Sequence, residues 1–400
     1  MARQIVVGID IGSSEIKVVI AEGVIEHGHT VAKIIATGVS ESKGVYRGYI
    51  ANSQETIKNI EAAVRQAEKI AGFKVKRAYV AFGGIGLGSI VTSGSTIISR
   101  ADQEITERDI TLALEAAEAL IPSAVSINKK VINTVPIEYK MDGKVVWGEA
   151  LGLKAQKLEV KAIFITALEH HLVDLISTIE SAGIEVADVV ASPVALSFVT
   201  LSKKQKRVGC VLVDIGAETL SIVVFENNNL TSLEVFPIGS SDITNDIALG
   251  LKISTEDAER VKLDIDRRLS YPKKKLEEII SARLEDCFEL IEKQLKSIDR
   301  NALLPGGCVI AGGGAAITNI RSIAENSLKL PAQLAEINLG GVTDGKIRDR
   351  SWAVAAGLVI FGFNTDDAQR SLGVRNASLI TESGKRWGRV ISRWISQFLP

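Results

Sequence analysis

The sequence predicts an α/β protein built as two similar lobes that share a cleft, and three observations lead there. Strand-like and helix-like stretches alternate along the chain, which is the pattern of α/β architectures. A strand–turn–strand unit near the start, Gly8-Ile9-Asp10-Ile11-Gly12-Ser13-Ser14 followed by Val18-Val19-Ile20, recurs half a chain later. Its second copy is Leu212-Val213-Asp214-Ile215-Gly216-Ala217-Glu218-Thr219 followed by Ile222-Val223-Val224. The length of 400 residues, at ~150 residues per domain, allows two or three folding units.

Composition narrows the class. Hydrophobic residues at 46% with 24% charged are the balance of a folded, soluble chain, and exclude wholesale disorder, collagen-like sequence and an integral membrane bundle. The charge-free stretch Ser351 to Thr365 is shorter than the ~20 apolar residues a bilayer span needs. Ala2-Arg3-Gln4 runs straight into a strand-like Ile5-Val6-Val7, so no signal peptide is expected. Cys210, Cys287 and Cys308 are widely spaced, which argues against a disulfide scaffold or a cysteine zinc site and suits a reducing cytoplasm. A net charge of −1 exerts no global pull on nucleic acid.

Taken in order, residues 4–10 and 16–21 are expected to form a hairpin of buried strands. Ser53 to Ile70 carries Ile57, Ile60, Val64, Ala67 and Ile70 at helical spacing. Residues 78–100 are rich in Gly and Ser with strand-like ends. Thr106 to Leu120 opens with Thr-x-x-Asp, a variant capping box, and 131–165 read as several short strands. The middle stretch is therefore a candidate inserted subdomain. The basic run Lys203 to Arg207 predicts a solvated connection between the halves. A helical, highly charged pattern covers 255–300. Gly307 to Ala315 is an apolar strand running into Gly312-Gly313-Gly314. Asn364 to Gly384 has no period and is expected to be a linker.

The turns suggest a chemistry. An Asp-x-Gly turn between strands presents successive backbone N–H groups, and its glycine allows an oxyanion close approach. Ser13, Ser14 and Thr219 add hydroxyls. Two such turns facing each other can grip the β- and γ-phosphates of a nucleotide from both sides, and Lys17 adds positive charge. Asp10 and Asp214 would repel phosphate; their expected role is to hold Mg²⁺ through water, since that ion keeps most of its hydration shell. Gly312, Gly313 and Gly314 would let backbone lie against a base or ribose and bring a helix start to an anion.

These residues carry a resemblance. Asp10-Ile11-Gly12, Asp214-Ile215-Gly216 and Ala311-Gly312-Gly313-Gly314 resemble the two phosphate motifs and the adenosine motif of the ATPase superfamily of actin, the heat-shock chaperones and the sugar kinases. Within it the chain most resembles the FtsA family of bacterial cell-division proteins, over almost its whole length. Val135-Pro136-Ile137-Glu138-Tyr139, Asp142-Gly143, Pro237-Ile238-Gly239 with Ile243-Thr244-Asn245-Asp246-Ile247-Ala248, Asp257-Ala258-Glu259-Arg260-Val261-Lys262 and Arg350-Ser351-Trp352-Ala353-Val354-Ala355-Ala356-Gly357-Leu358 support it.

The resemblance implies an actin-like two-lobed fold of duplicated ribonuclease-H-like domains with an FtsA-type inserted subdomain. The expected division is a first lobe of 1–80 and 163–205, an insertion at 81–162, and a second lobe of 206–248 and 308–363. A helical subdomain at 249–307, a linker at 364–383 and a terminal helix at 384–400 complete it. The resemblance also places Glu259 and Lys262 at the ribose and adenine, and implies ATP and Mg²⁺ as ligands. Its further implications are self-association into filaments, recruitment of later division proteins, and capture of the FtsZ C-terminal peptide by the helical subdomain, with Arg283 as a contact.

Two features depart from an active ATPase. Relatives usually carry Gly-Gly-Gly-Thr where this chain has Gly216-Ala217-Glu218-Thr219, so Glu218 brings a carboxylate near the expected γ-phosphate and Ala217 removes backbone freedom. Faster hydrolases of the superfamily place Glu or Gln before the proline of the first connecting helix to orient the attacking water; here that residue is Ser192, before Pro193. Slow hydrolysis at best is expected.

The tail has its own logic. Trp387, Val390, Ile391, Trp394, Ile395 and Phe398 fall on one helical face, with Arg386, Arg389 and Arg393 on the opposite side or its flanks and Lys385 beside them. A helix of this length reaches ~25 Å, yet its arginines forbid a span and favour lying in the interface of an anionic membrane. Partial burial of large side chains, ~1.5–3 kcal/mol each when complete, plus ~1 kcal/mol per cation, suits micromolar binding, ~−8 kcal/mol. The FtsA resemblance implies such an anchor, holding FtsZ filaments at the cytoplasmic face of the cell membrane.

Other signals carry less. Gly84-Ile85-Gly86-Leu87-Gly88 lacks the last glycine of a dinucleotide fingerprint, since position 89 is Ser89. His27, His29, His170 and His171 show no ligand spacing and are expected at the surface. Lys273-Lys274-Lys275 reads as a solvated helix start. No G-x-S-x-G elbow occurs. A pilus-assembly platform protein like PilM is the alternative on the same fold, and a sugar or carboxylate kinase, a third reading, lacks a candidate base.

Overall fold

The computed structural model describes residues 4–26, 29–146, 148–263, 271–339, 347 and 349–371. The tail residues Lys385, Arg386, Trp387, Arg389, Val390, Ile391, Arg393, Trp394, Ile395 and Phe398 lie outside the described residues. No helix among those described is long and apolar enough to cross a membrane.

The duplication seen in the sequence is a duplication of hairpins. In the first lobe Ile5–Ile11 pairs antiparallel with Glu15–Glu26, placing Asp10 opposite Lys17. In the second, Cys210–Ile215 pairs with Leu220–Glu226, placing Asp214 opposite Ser221. Each turn closes in the same way: Gly12 N–H donates to the Glu15 carbonyl at 3.1 Å, and Gly216 N–H to the Thr219 carbonyl at 2.9 Å. Each leading strand also takes a parallel neighbour, Arg77–Phe82 in the first lobe and Cys308–Ala311 in the second.

These strands are almost wholly apolar because both faces are covered, as buried parallel neighbours require. Val211, Val213 and Ile215 enter a core shared with the helices of 240–328, whereas Leu212 faces the core of the first lobe. The same alternation divides Ile222 and Val224 from Val223 and Phe225, so the period of 2 sends one strand's side chains into two cores. The first-lobe sheet has the order Glu185–Ala191, Arg77–Phe82, Ile5–Ile11, Glu15–Glu26, His29–Glu41.

Helix Ser53–Ala71 starts where Asn52 accepts the Glu55 N–H and ends at Gly72 in the left-handed conformation, a capped helix at both ends. Ile60, Val64 and Ala67 are buried as the spacing predicts, but Ile70 is exposed. The heavily charged stretch folds into helices Thr255–Lys262 and Lys273–Ser297.

Two helices pack together where the chain passes between the lobes. Ser192–Thr200 and Ala353–Ser371 cross where Gly357 sits against Ala195: an ideal Cβ at Gly357 would lie 1.9 Å from the Ala195 carbonyl oxygen. Gly357→Ala is expected to force the helices apart and lower stability by about 1–3 kcal/mol, readable as a shift of the urea midpoint at constant slope.

The middle stretch has its own core, including Ile105, Ile110, Tyr139, Leu158 and Phe164. Helix Glu107–Ala119 begins with the Thr106 N–H donating to the Asp109 carboxylate at 2.9 Å. The expected short strands are long: Lys129–Met141 and Lys157–Leu168 pair along their length. Their sheet continues into that of the second lobe through strand Asn229–Phe236, with Glu234 opposite Gly88. Ser89 Oγ fastens that edge, accepting the Leu233 N–H at 2.8 Å.

Several expectations shift. The boundary at 162 falls inside Lys157–Leu168, that at 248 inside helix Ser240–Leu251, and the linker expected from 364 begins as helix through Ser371. The basic run is a short helix, Lys203–Val208. Its Lys203, Lys204 and Arg207 are exposed, but Lys206 is buried with its Nζ 4.8 Å from the Phe225 ring, where loss of water pushes the amine down to about 7. His171 is half-buried and stacks on Tyr49 at 3.4 Å between ring centroids, so it is not the surface residue expected; burial pushes its pKa down.

Candidate functional site

The two Asp-Ile-Gly turns face each other across a cavity of ≈ 340 Å³. Asp10, Gly12, Ser13, Ser14 and Lys17 line it from one lobe, and Asp214, Gly216, Ala217 and Thr219 from the other. Glu259, Lys262, Gly312, Gly313 and Gly314 close one end. Glu218 alone of the candidate cleft residues is not on the wall. A second, larger cavity of ≈ 800 Å³ is lined by Phe198, Arg321, Gln333 and Leu339 among others. It shares only Arg350 with the first and meets none of the candidate nucleotide-binding residues.

The turns are held rigidly. Because the Gly12 and Gly216 amides close their own turns, the donors left to a ligand there are those that follow them. The Gly216 and Ala217 carbonyls accept the Ser240 and Ser241 N–H groups at 2.9 and 2.8 Å, so the second turn rests on the start of helix Ser240–Leu251. Such preset amides need no reordering when an anion arrives.

The floor is electrostatically loaded. Removal from water pushes Asp10 up to about 6, opposed by Lys17. Asp214 goes up to about 7, through burial first and the Asp10 charge second, again opposed by Lys17. Lys17 is buried, pairs with Glu15 at 2.8 Å, and lies 5.9 Å from the Trp352 ring centroid. Its counterpart in the second hairpin is Ser221, so the two carboxylates share one cation and are under-compensated. A hydrated divalent cation fits that deficit. Among the described residues no group of three or more His, Cys, Asp or Glu could hold a metal; an ion here would therefore rely on the two carboxylates, its own waters and ligand oxygens.

The glycine triplet is asymmetric. A Cβ on Gly312 would lie 2.4 Å from Asp214 Oδ1, and one on Gly314 2.4 Å from the Ile215 side chain, whereas one on Gly313 would meet nothing within 4 Å. Gly313 thus leaves open the space that a flat ligand group could occupy.

Glu259 and Lys262 are brought together, but as a fixed pair. Lys262 Nζ lies 2.7 Å from Glu259, 2.8 Å from Thr244 Oγ1 and 3.1 Å from the Ser240 carbonyl. All three ammonium donors are engaged, and Lys262 ties its helix to Ser240–Leu251, while the half-exposed Glu259 offers its carboxylate to the cavity. Ser192 lines the wall with its hydroxyl over Gly83. Arg283 lies away from the cavity and forms a fork with Asp246 at 2.6 and 3.0 Å, with Asp286 at 3.4 Å.

Sequence reasoning passed over the hairpin Val45–Tyr46 and Tyr49–Ile50, whose Gly48 lines the cavity, and used Arg350 and Ser351 only as family markers, although with Asp349 they line the cavity too. The signal was present in Tyr46-Arg47-Gly48-Tyr49, a two-residue turn between aromatic strand formers.

Comparison with known proteins bears on this geometry. A sequence model of the family described as "Cell division protein FtsA" matches residues 211–357, and one described as "SHS2 domain inserted in FTSA" matches residues 86–166. The protein named "Cell division protein FtsA" of Bacillus subtilis (strain 168) is 31% identical over 380 residues, covering 90% of this chain and 83% of that protein. Among solved structures, the "PilM-PilN type IV pilus biogenesis complex" superposes with a TM-score of 0.63 at 16% identity, over 89% of this chain and 98% of that one. "MreB 5 of Spiroplasma citri bound to AMPPNP" superposes with a TM-score of 0.50 at 13% identity, over 93% and 99%. At these identities the structural likenesses show the actin-like fold.

Proposed function

The chain belongs to the FtsA family of cell-division proteins, and on that premise we propose that it is a nucleotide-regulated adaptor that links FtsZ filaments to the cytoplasmic face of the cell membrane at the division septum. The observation that carries the nucleotide part is the pair of duplicated acidic turns facing one cavity. ATP would lie between them, with the amides and hydroxyls of Ser13, Ser14, Ala217 and Thr219 on its phosphates and Lys17 offsetting their charge. Asp10 and Asp214, ionised above about pH 7, would hold Mg²⁺ through water. The metal, when bound, neutralises phosphate charge. The glycine triplet and Glu259 would meet the nucleoside.

Ser192 supports slow turnover, because a short hydroxyl is a weaker water-positioner than a carboxylate or amide. The chain's work is then a change of state on binding: closure of two lobes about the crossing at Gly357, coupled to actin-like self-association. In the helical subdomain Arg283 would have to exchange part of its hold on Asp246 and Asp286 for the acidic FtsZ C-terminal peptide. Later division proteins would gather on the assembled filament. The pilus-platform alternative rests on a fold likeness alone, and family membership weighs against it.

The membrane part rests on the tail pattern Trp387, Val390, Ile391, Trp394, Ile395 and Phe398 with Lys385, Arg386, Arg389 and Arg393. Co-sedimentation with anionic liposomes is expected to pellet the full chain and to leave a 1–382 truncation in the supernatant, a shift of at least ~100-fold in partitioning. Equal pelleting of the two would remove the anchor.

A further inference from the structure

Glu218 bridges the two lobes. Its carboxylate accepts the Arg47 N–H at 2.5 Å, from a residue far away in the sequence and in the other lobe. Arg47 and Gly48 are the two central residues of the hairpin in which Tyr46 pairs with Tyr49, and both have positive φ, 49° and 77°. That is the two-residue turn favoured between twisted strands. Its two successive amides reach one to each side of the cleft: Arg47 N–H to Glu218 of the second phosphate turn, and Gly48 N–H to Ser13 Oγ of the first, at 3.1 Å. The hairpin is anchored behind by Tyr49, stacked on His171.

A turn amide is an anion-binding donor, and for the Arg47 amide the protein supplies the anion itself. We propose that Glu218 is a resident carboxylate that latches the cleft and competes with the terminal phosphate of a nucleoside triphosphate, so that the site discriminates in favour of the diphosphate. This rests on the nucleotide reading above and names the phosphate that is disfavoured. A diphosphate can be held by the turns with the latch in place. A third phosphate at the second turn comes against Ala217 and Thr219, the wall residues on either side of Glu218, where its charge repels the carboxylate behind them and loosens that carboxylate's hold on Arg47. Triphosphate binding is thereby coupled to release of the hairpin, and diphosphate binding is not.

Two variants test this in the full chain. Glu218→Gln keeps the shape and an acceptor but removes the charge; Glu218→Gly removes both. Affinities for Mg²⁺–ATP and Mg²⁺–ADP, titrated with fluorescent analogues, are expected to show the ATP-to-ADP affinity ratio rising by roughly tenfold in both variants, chiefly through tighter ATP binding. Amide hydrogen exchange over 46–49 in nucleotide-free protein is expected to quicken by about tenfold in Glu218→Gly. Binding of both nucleotides with an unchanged ratio overturns the inference and leaves the cleft reading intact. Binding of neither nucleotide by wild type overturns the cleft reading and, with it, the discrimination. Unchanged exchange in Glu218→Gly overturns the latch.

Discussion

Gly313→Val is expected to weaken ATP binding by at least ~100-fold, about 2.7 kcal/mol, while leaving the melting temperature of the nucleotide-free protein within ~2 °C of wild type. The expectation follows from the unequal surroundings of the three glycines. Gly312 has φ 83° and would drive a side chain into Asp214 Oδ1 and the Ile215 carbonyl, both at 2.4 Å. Gly314 would strike the Ile215 side chain. At Gly313 the backbone is not left-handed, and an added Cβ meets no protein atom within 4 Å. A valine there meets ligand space instead of protein, so the fold should tolerate it and a nucleotide should not. Gly312→Val serves as the contrast, with a lowered melting temperature from backbone strain and collision. Isothermal titration of Gly313→Val gives the decisive reading. Wild-type ATP affinity in a folded Gly313→Val protein would show that the nucleotide does not lie in this cleft.

The position of that cleft was legible because the fold is a repeat and the repeat is local. Asp10-Ile11-Gly12 and Asp214-Ile215-Gly216 each specify a strand, a turn and a return strand within a few residues, and burial on both faces gives uninterrupted Ile and Val runs that have no other stable home. The family-level positions Glu259 and Lys262 were likewise found close together. Contacts made between distant segments were not legible. Nothing near Glu218 in the sequence announces Arg47 as its partner, and nothing around Lys262 reveals that Thr244 and Ser240 use up its donors. Lys206 was misplaced for a related reason. A basic run reads as solvent-facing, but a short helix turns one residue inward, and here that residue is buried with its ammonium over the Phe225 ring. Similarly, the inserted sheet joins the second lobe through the pairing of Gly88 with Glu234 and the hydrogen bond of Leu233 to Ser89, which leave no trace in local propensity.

Asp214→Asn is expected to stabilise the nucleotide-free protein above pH 7 while removing its response to Mg²⁺–ATP. The folded-state pKa of Asp214 stands at about 7, raised from its ordinary 3.8 by burial and by Asp10. The folded chain therefore binds this proton more tightly than the unfolded chain does, and wild type loses stability as the pH rises from about 4 to about 7. Asparagine has no proton to lose. The variant should match wild type near pH 4, gain on it through that window, and hold a constant advantage above it. At pH 8 the gain should be at least ~2 °C in melting temperature. Lys17 does not become an orphan, since Glu15 and Asp10 still face it. Saturating Mg²⁺–ATP reverses the order: ligand at ~100 times its dissociation constant adds about 2.7 kcal/mol to wild type, and the variant, with one carboxylate left for the hydrated ion, gains little. Thermal scans at pH 4 and pH 8 with and without Mg²⁺–ATP check all four arms. A nucleotide-free Asp214→Asn protein that melts below wild type at pH 8 would mean that the carboxylate is compensated by the protein itself, and that the charge deficit assigned to a bound cation does not exist.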